Sequence, residues 1–202
     1  MASPVGHALA GIAVGRLGER PEALAGRGFL LACIVLAIAA DFDFLPGLLL
    51  GQPTLYHQGA SHSLAVAALV GLAAAFAWTR GRGGLRRAWA VFFLAYASHL
   101  AVDWIGTDLR PPIGIPLLWP LSAETWISPL AGLPGVRHAV TGNEGPAGWL
   151  ALIMSWVNLR AIGIEIAVVG PLALGAEVLR RRRQRRDPES PRGAKRFPAS
   201  PL

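Results

Sequence analysis

Residues 88–105 read AWAVFFLAYASHLAVDWI, an apolar run with one histidine and one aspartate in its second half. A helix needs about 20 predominantly apolar residues to cross a bilayer, and this run approaches that length. A charged side chain inside a bilayer costs at least about 2.5–3.5 kcal/mol. In a membrane helix, His99 and Asp103 would therefore be expected to have a function. The run is therefore either a core helix of a soluble helical protein or a membrane helix that carries a functional site.

Composition favours the membrane interpretation. Of the 202 residues, 53% are hydrophobic and only 15% are charged, and the mean hydropathy is +0.45. Further apolar windows cover residues 29–50, 64–78 and 161–179, and a shorter one covers residues 5–17. We predict an all-α, integral membrane bundle of about four to five helices. Residues 1–179 would form this membrane-embedded domain, and residues 180–202 a basic, disordered cytoplasmic tail.

The net charge of +7 lies entirely in that tail. Residues 180–202 hold eight Arg and one Lys against Asp187 and Glu189, so the rest of the chain is neutral. A tail of this kind suits anionic lipid at the membrane surface, and no face for nucleic acid is expected. The single cysteine, Cys33, excludes a disulfide framework and a Cys-rich zinc module.

Basic residues also predict how the helices are oriented. Residues 79–87 carry four Arg and no acid, residues 180–186 carry six Arg, and such segments remain in the cytoplasm. The first helix lacks the features of a cleavable signal peptide and is expected to remain in the protein. Threading the helices between these two segments puts the C-terminus in the cytoplasm and gathers seven metal-competent side chains at the outer ends: His7, Asp41, Asp43, His57, His62, His99 and Asp103.

Spacing indicates which of these groups can act together. His99 and Asp103 are four residues apart, so on a helix they share one face and can bind a cation; a hydrogen-bonded pair in the core is the alternative. Asp41 and Asp43 are two apart and can share a site only where the helix unwinds, as Pro46 just beyond them predicts. The alternative is that Asp41 and Asp43 are both solvated side chains at a helix end.

A short turn separates the two central histidines. It brings the imidazoles of His57 and His62 back towards one point and ends at Ser61, the expected N-cap of the next helix. Imidazole and carboxylate without thiolate suit Zn²⁺, with Mn²⁺ or Fe²⁺ as alternatives. Because one catalytic zinc takes three or four protein ligands, seven ligands indicate two ions.

Such a pair of ions predicts a hydrolase. Two divalent ions about 3.5–4 Å apart activate water and clamp the oxygens of a phosphoryl or carboxyl ester. We expect Asp41 and Asp103 to take part in catalysis, and the partners to be membrane lipids and a small-molecule or lipid substrate. A Gly-x-Ser-x-Gly elbow, a P-loop and a dinucleotide fingerprint are all missing from the sequence. The alternatives are a non-enzymatic protein that binds or passes a cation, and a bundle stapled by a structural metal.

Five motifs occur in a characteristic order. They are Gly6-His7, Asp41-Phe-Asp43, His57-Gln-Gly-Ala-Ser-His62-Ser63, His99-Leu-Ala-Val-Asp103 and Leu118-Trp119-Pro120-Leu121-Ser122. Over about residues 1–125 the chain thereby resembles the bacterial membrane-bound metal-dependent hydrolases, the YdjM-like family. The resemblance implies a helical inner-membrane protein with a metal-dependent hydrolase site, and ligand status for the seven side chains named above. The chain departs from the family at Gln58, where such sequences usually have Arg. A more distant likeness to zinc-dependent phospholipases C suggests phosphoester chemistry.

The remaining segment of note spans residues 106–158 and contains seven prolines. We predict an outer-side excursion of turns, with one short helix over residues 148–158, that could cover the site like a lid. Beyond it, Glu165 is expected either to support the site or to pair with an Arg.

Overall fold

The computed structural model describes residues 1–19, 24–50, 55–108, 113–130, 132–137 and 151–186. Within these residues the chain forms α-helices, two 3₁₀ segments and isolated β-bridges, such as Gly106 with Leu133 and Ile115 with Trp126, but no strand. The 3₁₀ segments are Ala39–Asp43 and Ala60–His62. The helices are α1 (Pro4–Gly18), α2 (Gly26–Ile38), α3 (Phe44–Leu49), α4 (Leu64–Thr79), α5 (Leu85–Ile105) and α6 (Trp156–Arg186). The predicted all-α fold is confirmed.

Three stretches are long and apolar enough to cross a membrane. They are Gly26–Gly47, Leu85–Ile105 and Trp156–Arg186, and α4 is apolar but shorter. Large apolar side chains also point away from the bundle, such as Leu69 on α4 and Leu174 on α6, which are 66% and 69% exposed. Lipid is the solvent in which such outward faces are stable, whereas a soluble protein rarely exposes so much apolar surface.

Helix α1 lies inside the bundle, between α2, α5 and α6, and α5 packs in addition against α2 and α4. Small residues allow the close approaches. A Cβ added to Gly11 of α1 would lie 2.7 Å from the Ala37 Cβ on α2, and one added to Gly71 of α4 would lie 2.8 Å from the backbone nitrogen of Phe93 on α5. Glycine at such points is typical of helices that pack within a membrane. Cys33 is fully buried in the core.

The basic ends of three helices lie together at one end of the bundle. Gly18, which ends α1, approaches Val91 near the start of α5, and Arg183 near the end of α6 donates to the Leu17 carbonyl at 3.3 Å. His99 and Asp103 stand at the opposite end of α5. The basic segments and the metal-competent groups therefore lie at opposite ends of the bundle, as the charge pattern predicts. The side of the membrane on which the C-terminus lies remains a prediction.

Two predicted boundaries are wrong. Pro46 does not end the helix beside Asp41 and Asp43: α2 ends at Ile38, and the chain tightens into the 3₁₀ segment at Ala39–Asp43 and continues as α3. Pro46 stands in the first turn of α3, where the missing N–H costs nothing. Helix α6 runs on through Arg186 and so includes residues 180–186, which the sequence predicts to be part of the disordered tail. Arginine is a good helix former, and the ion pair between Glu177 and Arg180 (2.7 Å) supports this last part of the helix.

The described part of the excursion packs across the ends of α4 and α5. The N–H of Leu64 donates to the Leu117 carbonyl at 3.0 Å, and that of Ser128 to the Trp104 carbonyl at 2.7 Å. The predicted helix over residues 148–158 begins outside the described residues; residues 151–153 are helical, and the chain bends at residues 154–155 before α6. Residues 187–202 of the predicted tail also lie outside the described residues.

Candidate metal centre

The 3₁₀ segment Ala39–Asp43 aims its two aspartates in different directions. A 3₁₀ helix has three residues per turn, so side chains two positions apart diverge. Asp41 faces the bundle interior, with Oδ1 3.6 Å from His99 Nε2 and Oδ2 3.9 Å from His7 Nε2. Asp43 faces the 55–62 turn, with Oδ1 2.8 Å from His57 Nδ1. Because of this winding, Asp41 lies near His7 and His99, and Asp43 lies near His57, although the two acids are only two residues apart.

Helix α5 supplies His99 and Asp103 from one face, as their spacing predicts. His99 Nε2 lies 3.1 Å from Asp103 Oδ2, and both side chains are fully buried. The other ring nitrogen of His99, Nδ1, lies 2.9 Å from the Ala37 carbonyl oxygen, which can only accept. His99 Nδ1 therefore carries the proton, which leaves Nε2, 3.1 Å from Asp103 Oδ2 and 3.2 Å from His62 Nε2, as a nitrogen that can bind a cation.

The turn at residues 55–62 carries the two central histidines. Gln58 adopts a positive φ of 65°, and the Tyr96 hydroxyl donates to the Ser61 carbonyl at 2.9 Å, which ties the turn to α5. The N-cap prediction at Ser61 is wrong: Ser63 caps α4 by accepting from the Val66 N–H. Ser61 is occupied elsewhere, because its hydroxyl donates to Asp43 Oδ2 at 2.7 Å.

Asp43 stands behind both histidines of this turn. Its Oδ1 lies 2.8 Å from His57 Nδ1, and its Oδ2 lies 3.2 Å from His62 Nδ1. A carboxylate at Nδ1 holds the proton there and leaves Nε2 as the nitrogen with the lone pair. This is the arrangement by which proteins orient metal-binding histidines. Asp43 provides it directly for His57, and for His62 together with Ser61, whose Oγ lies 3.0 Å from His62 Nδ1 and donates to Asp43 Oδ2.

His7 differs from the other three histidines. It is fully buried, its ring stacks on that of His99 with centroids 3.7 Å apart, and its Nε2 lies 3.4 Å from Asp103 Oδ1. Within the described part of the chain, both of its ring nitrogens and Asp103 Oδ2 have no hydrogen-bonding partner. Buried polar atoms are almost always paired. Because a neutral imidazole has one N–H and one lone pair, a single nitrogen of His7 together with Asp103 Oδ2 offers the atoms that suit a cation.

The distances between candidate ligand atoms support the same conclusion. Two ligands of one tetrahedral zinc, each about 2.0–2.1 Å from the metal, stand about 3.4 Å apart. The imidazole–carboxylate distances among His7, Asp41, His62, His99 and Asp103 run from 3.1 to 3.9 Å, mostly too long for direct hydrogen bonds. Two groups have ligand atoms within 4.8 Å of one another: His7, Asp41, His99 and Asp103 form the first group, and Asp41, His57 and His62 form the second. Asp41 is common to both.

The charge of the cluster also suits cations. Among the described residues, no Arg forms an ion pair with Asp41, Asp43 or Asp103, whose charged neighbours are histidines. Burial alone would lower the pKa of His62, but the carboxylates of Asp41 and Asp43 beside it raise that pKa to about 9. In the metal-free protein, a proton on His62 therefore balances the negative charge of these carboxylates. A bound metal ion would balance the same charge in its place.

The two aspartates of the 3₁₀ segment are the accessible part of the cluster. The side chains of His7, His62, His99 and Asp103 have no exposure, whereas those of Asp41 and Asp43 are 14% and 10% exposed. Close to these residues in sequence, the 3₁₀ segment, α3 and the turn carry exposed apolar residues: Phe42 (52%), Leu45 (56%), Leu49 (87%) and Tyr56 (49%). We call these four residues the apolar rim.

The structure brings together all seven side chains that the sequence singled out, six of them in the two groups and Asp43 behind two histidines. Their status as ligands remains a prediction. The sequence did not predict three groups that hold the candidate ligands in place: the Ala37 carbonyl, the Ser61 hydroxyl and Tyr96. Only Ser61, between the two histidines in the sequence, carried a signal that could have found it.

Comparison with known proteins gives one result. A family model described as the YdjM inner membrane protein matches residues 1–183, and so covers all six helices except the last three residues of α6. The searches of curated proteins and of solved structures find no match.

Proposed function

The chain belongs to the YdjM inner membrane protein family, and we propose that it is a membrane-bound, metal-dependent hydrolase of a phosphoester or lipid-like ester. One observation carries the proposal: α1, the 3₁₀ segment, the 55–62 turn and α5 deliver imidazoles and carboxylates to one buried point. There, three buried polar atoms have no hydrogen-bonding partner within the described residues. Other groups of the cluster do pair, as Asp43 does with His57, but a purely structural role would require partners for these three atoms as well.

The donor set divides between two positions. His7, His99 and Asp103 would hold a first ion, His57 and His62 a second, and Asp41 would contact both. Zn²⁺ is the expected metal, with Mn²⁺ or Fe²⁺ as alternatives. When bound, such ions supply a water of lowered pKa and neutralise charge that develops on ester oxygens.

The two catalytic aspartates take different parts. Asp103 is fully buried, and its Oδ1 accepts the Ala2 N–H at 2.9 Å, so it holds its position rigidly. Asp41 is the more accessible carboxylate and lies between the two groups. We place Asp41 beside the substrate, where it can orient the attacking water and take up its proton.

The surroundings of the cluster favour an amphipathic substrate. The residues of the apolar rim lie close in sequence to Asp41, Asp43 and His57, and their side chains are about half exposed or more. A molecule with an acyl chain can bury apolar surface against this rim while its polar head reaches the cluster, and each buried CH₂ contributes about 0.8 kcal/mol. A phospholipid or another lipid ester fits this description better than a small hydrophilic ester.

Metal analysis combined with a substrate screen tests the proposal. We would purify the full chain in detergent, measure its metal content, and assay it against phospholipid vesicles and against water-soluble phosphate and carboxyl esters. We expect about one to two equivalents of transition metal. Metal and hydrolysis should both be lost in His62→Ala and Asp103→Ala, and both retained in Glu124→Ala, which removes an exposed carboxylate on the excursion.

Two outcomes would contradict the proposal. Wild-type protein that contains no metal, and whose stability does not change on adding metal or chelator, would remove its basis. Bound metal without hydrolysis of any ester, together with cation flux in proteoliposomes, would favour the non-enzymatic alternative.

A further inference from the structure

Glu165 is a buried carboxylate that the proposed chemistry does not use. It lies on α6, within the stretch Trp156–Arg186 that is long enough to cross the membrane, and it has no solvent exposure. Its carboxylate accepts the Ser3 backbone N–H, at 2.9 Å to Oε1 and 3.1 Å to Oε2, and also the Ser3 hydroxyl. An ionisable group buried in such a helix is retained where it has a specific task.

The partner of Glu165 begins the helix that carries His7. Ser3 is the N-cap of α1, and its side chain accepts from the Gly6 N–H at 3.3 Å. The His7 N–H donates to the Ser3 carbonyl at 3.1 Å. Ser3 and His7 are four residues apart and so lie on the same face of α1. The position of Ser3 therefore determines where the imidazole of His7 stands along the helix axis.

The residues before α1 are held from two sides. Ala2 donates its N–H to Asp103 Oδ1 at 2.9 Å, and the next N–H, that of Ser3, goes to Glu165. Consecutive N–H groups thus join α5 to α6 through the start of α1. Gly6 permits this approach, because a Cβ added there would lie 2.7 Å from Glu165 Oε2.

His7 needs this support more than the other histidines do. His57, His62 and His99 are each oriented through Nδ1 by an oxygen atom: the first two by Asp43, the third by the Ala37 carbonyl. His7 has no such hydrogen bond within the described residues, so its ring is positioned by its backbone and by its stack on His99.

We propose that Glu165 is a positioning residue: by holding Ser3 it sets the placement of α1 and so brings His7 to the first ion position. This inference rests on the proposed metal centre. It assigns to the last helix a part in assembling a site whose candidate ligands all lie between His7 and Asp103. Glu165 itself contacts the start of α1 and does not serve as a ligand.

Metal-binding measurements on Glu165 variants test the inference. Glu165→Leu removes all acceptors for Ser3, and we expect affinity for the first ion to fall about 10- to 100-fold, as for other groups that support a metal ligand. The visible spectrum of the Co²⁺-loaded protein should change with it. Glu165→Gln keeps a carbonyl oxygen for the Ser3 N–H and an amide that can donate to its hydroxyl, so it should restore most of the affinity and the spectrum. Ser3→Ala, which keeps the N–H, should give an intermediate loss.

A matched control and a double-mutant cycle separate positioning from general stability. Glu177→Gln makes the same change on the same helix, at the end with the Arg cluster, and should leave Co²⁺ affinity unchanged. In a His7→Ala background, Glu165→Leu should cause no further loss, because its effect passes through His7.

Two results would overturn the inference but leave the proposed metal centre intact. One is an equal loss of Co²⁺ affinity on Glu165→Leu in the wild-type and His7→Ala backgrounds, and the other is a Glu165→Leu protein with unchanged Co²⁺ affinity. A Glu165→Gln protein as deficient as Glu165→Leu would also overturn it, because a ligand, unlike a positioning group, requires the charge. Wild-type protein without metal would overturn the inference and the proposed function together.

Discussion

Replacing Asp43 by Asn separates a metal ligand from a group that orients ligands. One oxygen of Asp43 meets His57 Nδ1 at 2.8 Å; the other meets Ser61 Oγ at 2.7 Å and His62 Nδ1 at 3.2 Å. An amide of the same size keeps one acceptor and turns the other into a donor. Whichever way the amide turns, one imidazole loses the acceptor that holds its proton on Nδ1.

The structure indicates the size of the effect. Losing the group that orients a metal-binding histidine typically weakens metal affinity about 10- to 100-fold, which corresponds to about 1.4–2.7 kcal/mol. Because Asp43 serves two histidines and Asn fails one of them, we expect a loss within this range. A competitive titration with a coloured chelator measures it, with Glu124→Gln as the control for removing a carboxylate charge. Complete loss of metal would show that Asp43 is itself a ligand, and unchanged affinity would refute the orienting role.

Three further predictions concern acidity, packing and substrate. Because the pKa of His62 is raised to about 9, a metal ion must displace its proton at neutral pH, and apparent affinity should rise about tenfold per pH unit up to about pH 9; titration at several pH values checks this. By the same shift, the metal-free protein keeps the stabilising contribution of protonated His62 below about pH 6.5 and loses it as pH rises through about 9, which thermal unfolding in chelator would detect. Gly6→Ala should destabilise the protein by about 1–3 kcal/mol, since its Cβ would lie 2.7 Å from a buried carboxylate oxygen. Gly163→Ala, where a Cβ meets nothing within 4 Å, should be neutral or stabilising. An equal effect of the two changes on the unfolding temperature would contradict the packing. Leu49→Gln in the apolar rim should slow phospholipid hydrolysis about fivefold, a loss of about 1 kcal/mol of apolar contact, and leave a water-soluble ester unaffected, while Leu69→Gln on α4 should change neither rate.

Much of the site could be predicted because its determinants are periodic or local. The apolar windows located α1, α2, α4, α5 and α6 but not the separate short helix α3. The Arg-rich segments ordered the ends of the helices, so residues far apart in sequence are predicted to meet at one end of the bundle. The four-residue spacing of His99 and Asp103 placed both on one face of α5, as the structure shows. These inferences require only helix geometry and the cost of charge in a membrane.

What escaped prediction depends on tertiary contacts. The winding at Ala39–Asp43 and the cap at Ser63 reflect competition between local preference and partners elsewhere: Ser61 could have capped α4, but its hydroxyl bonds Asp43 instead. The partner of Glu165 lies 162 residues away, and no local pattern specifies such a contact. Ser3 followed by proline is, however, a recognisable helix start that could have directed attention to this end of the chain.

Asp41 offers the most direct test of the account, because it is the one residue common to both groups of candidate ligands. The measurement is metal content per chain, by elemental analysis of purified protein, for the wild type and for Asp41→Asn. We expect about one to two equivalents in the wild type and loss of both ion positions in the variant. A wild type without metal, or an Asp41→Asn protein that retains its full complement, would contradict it.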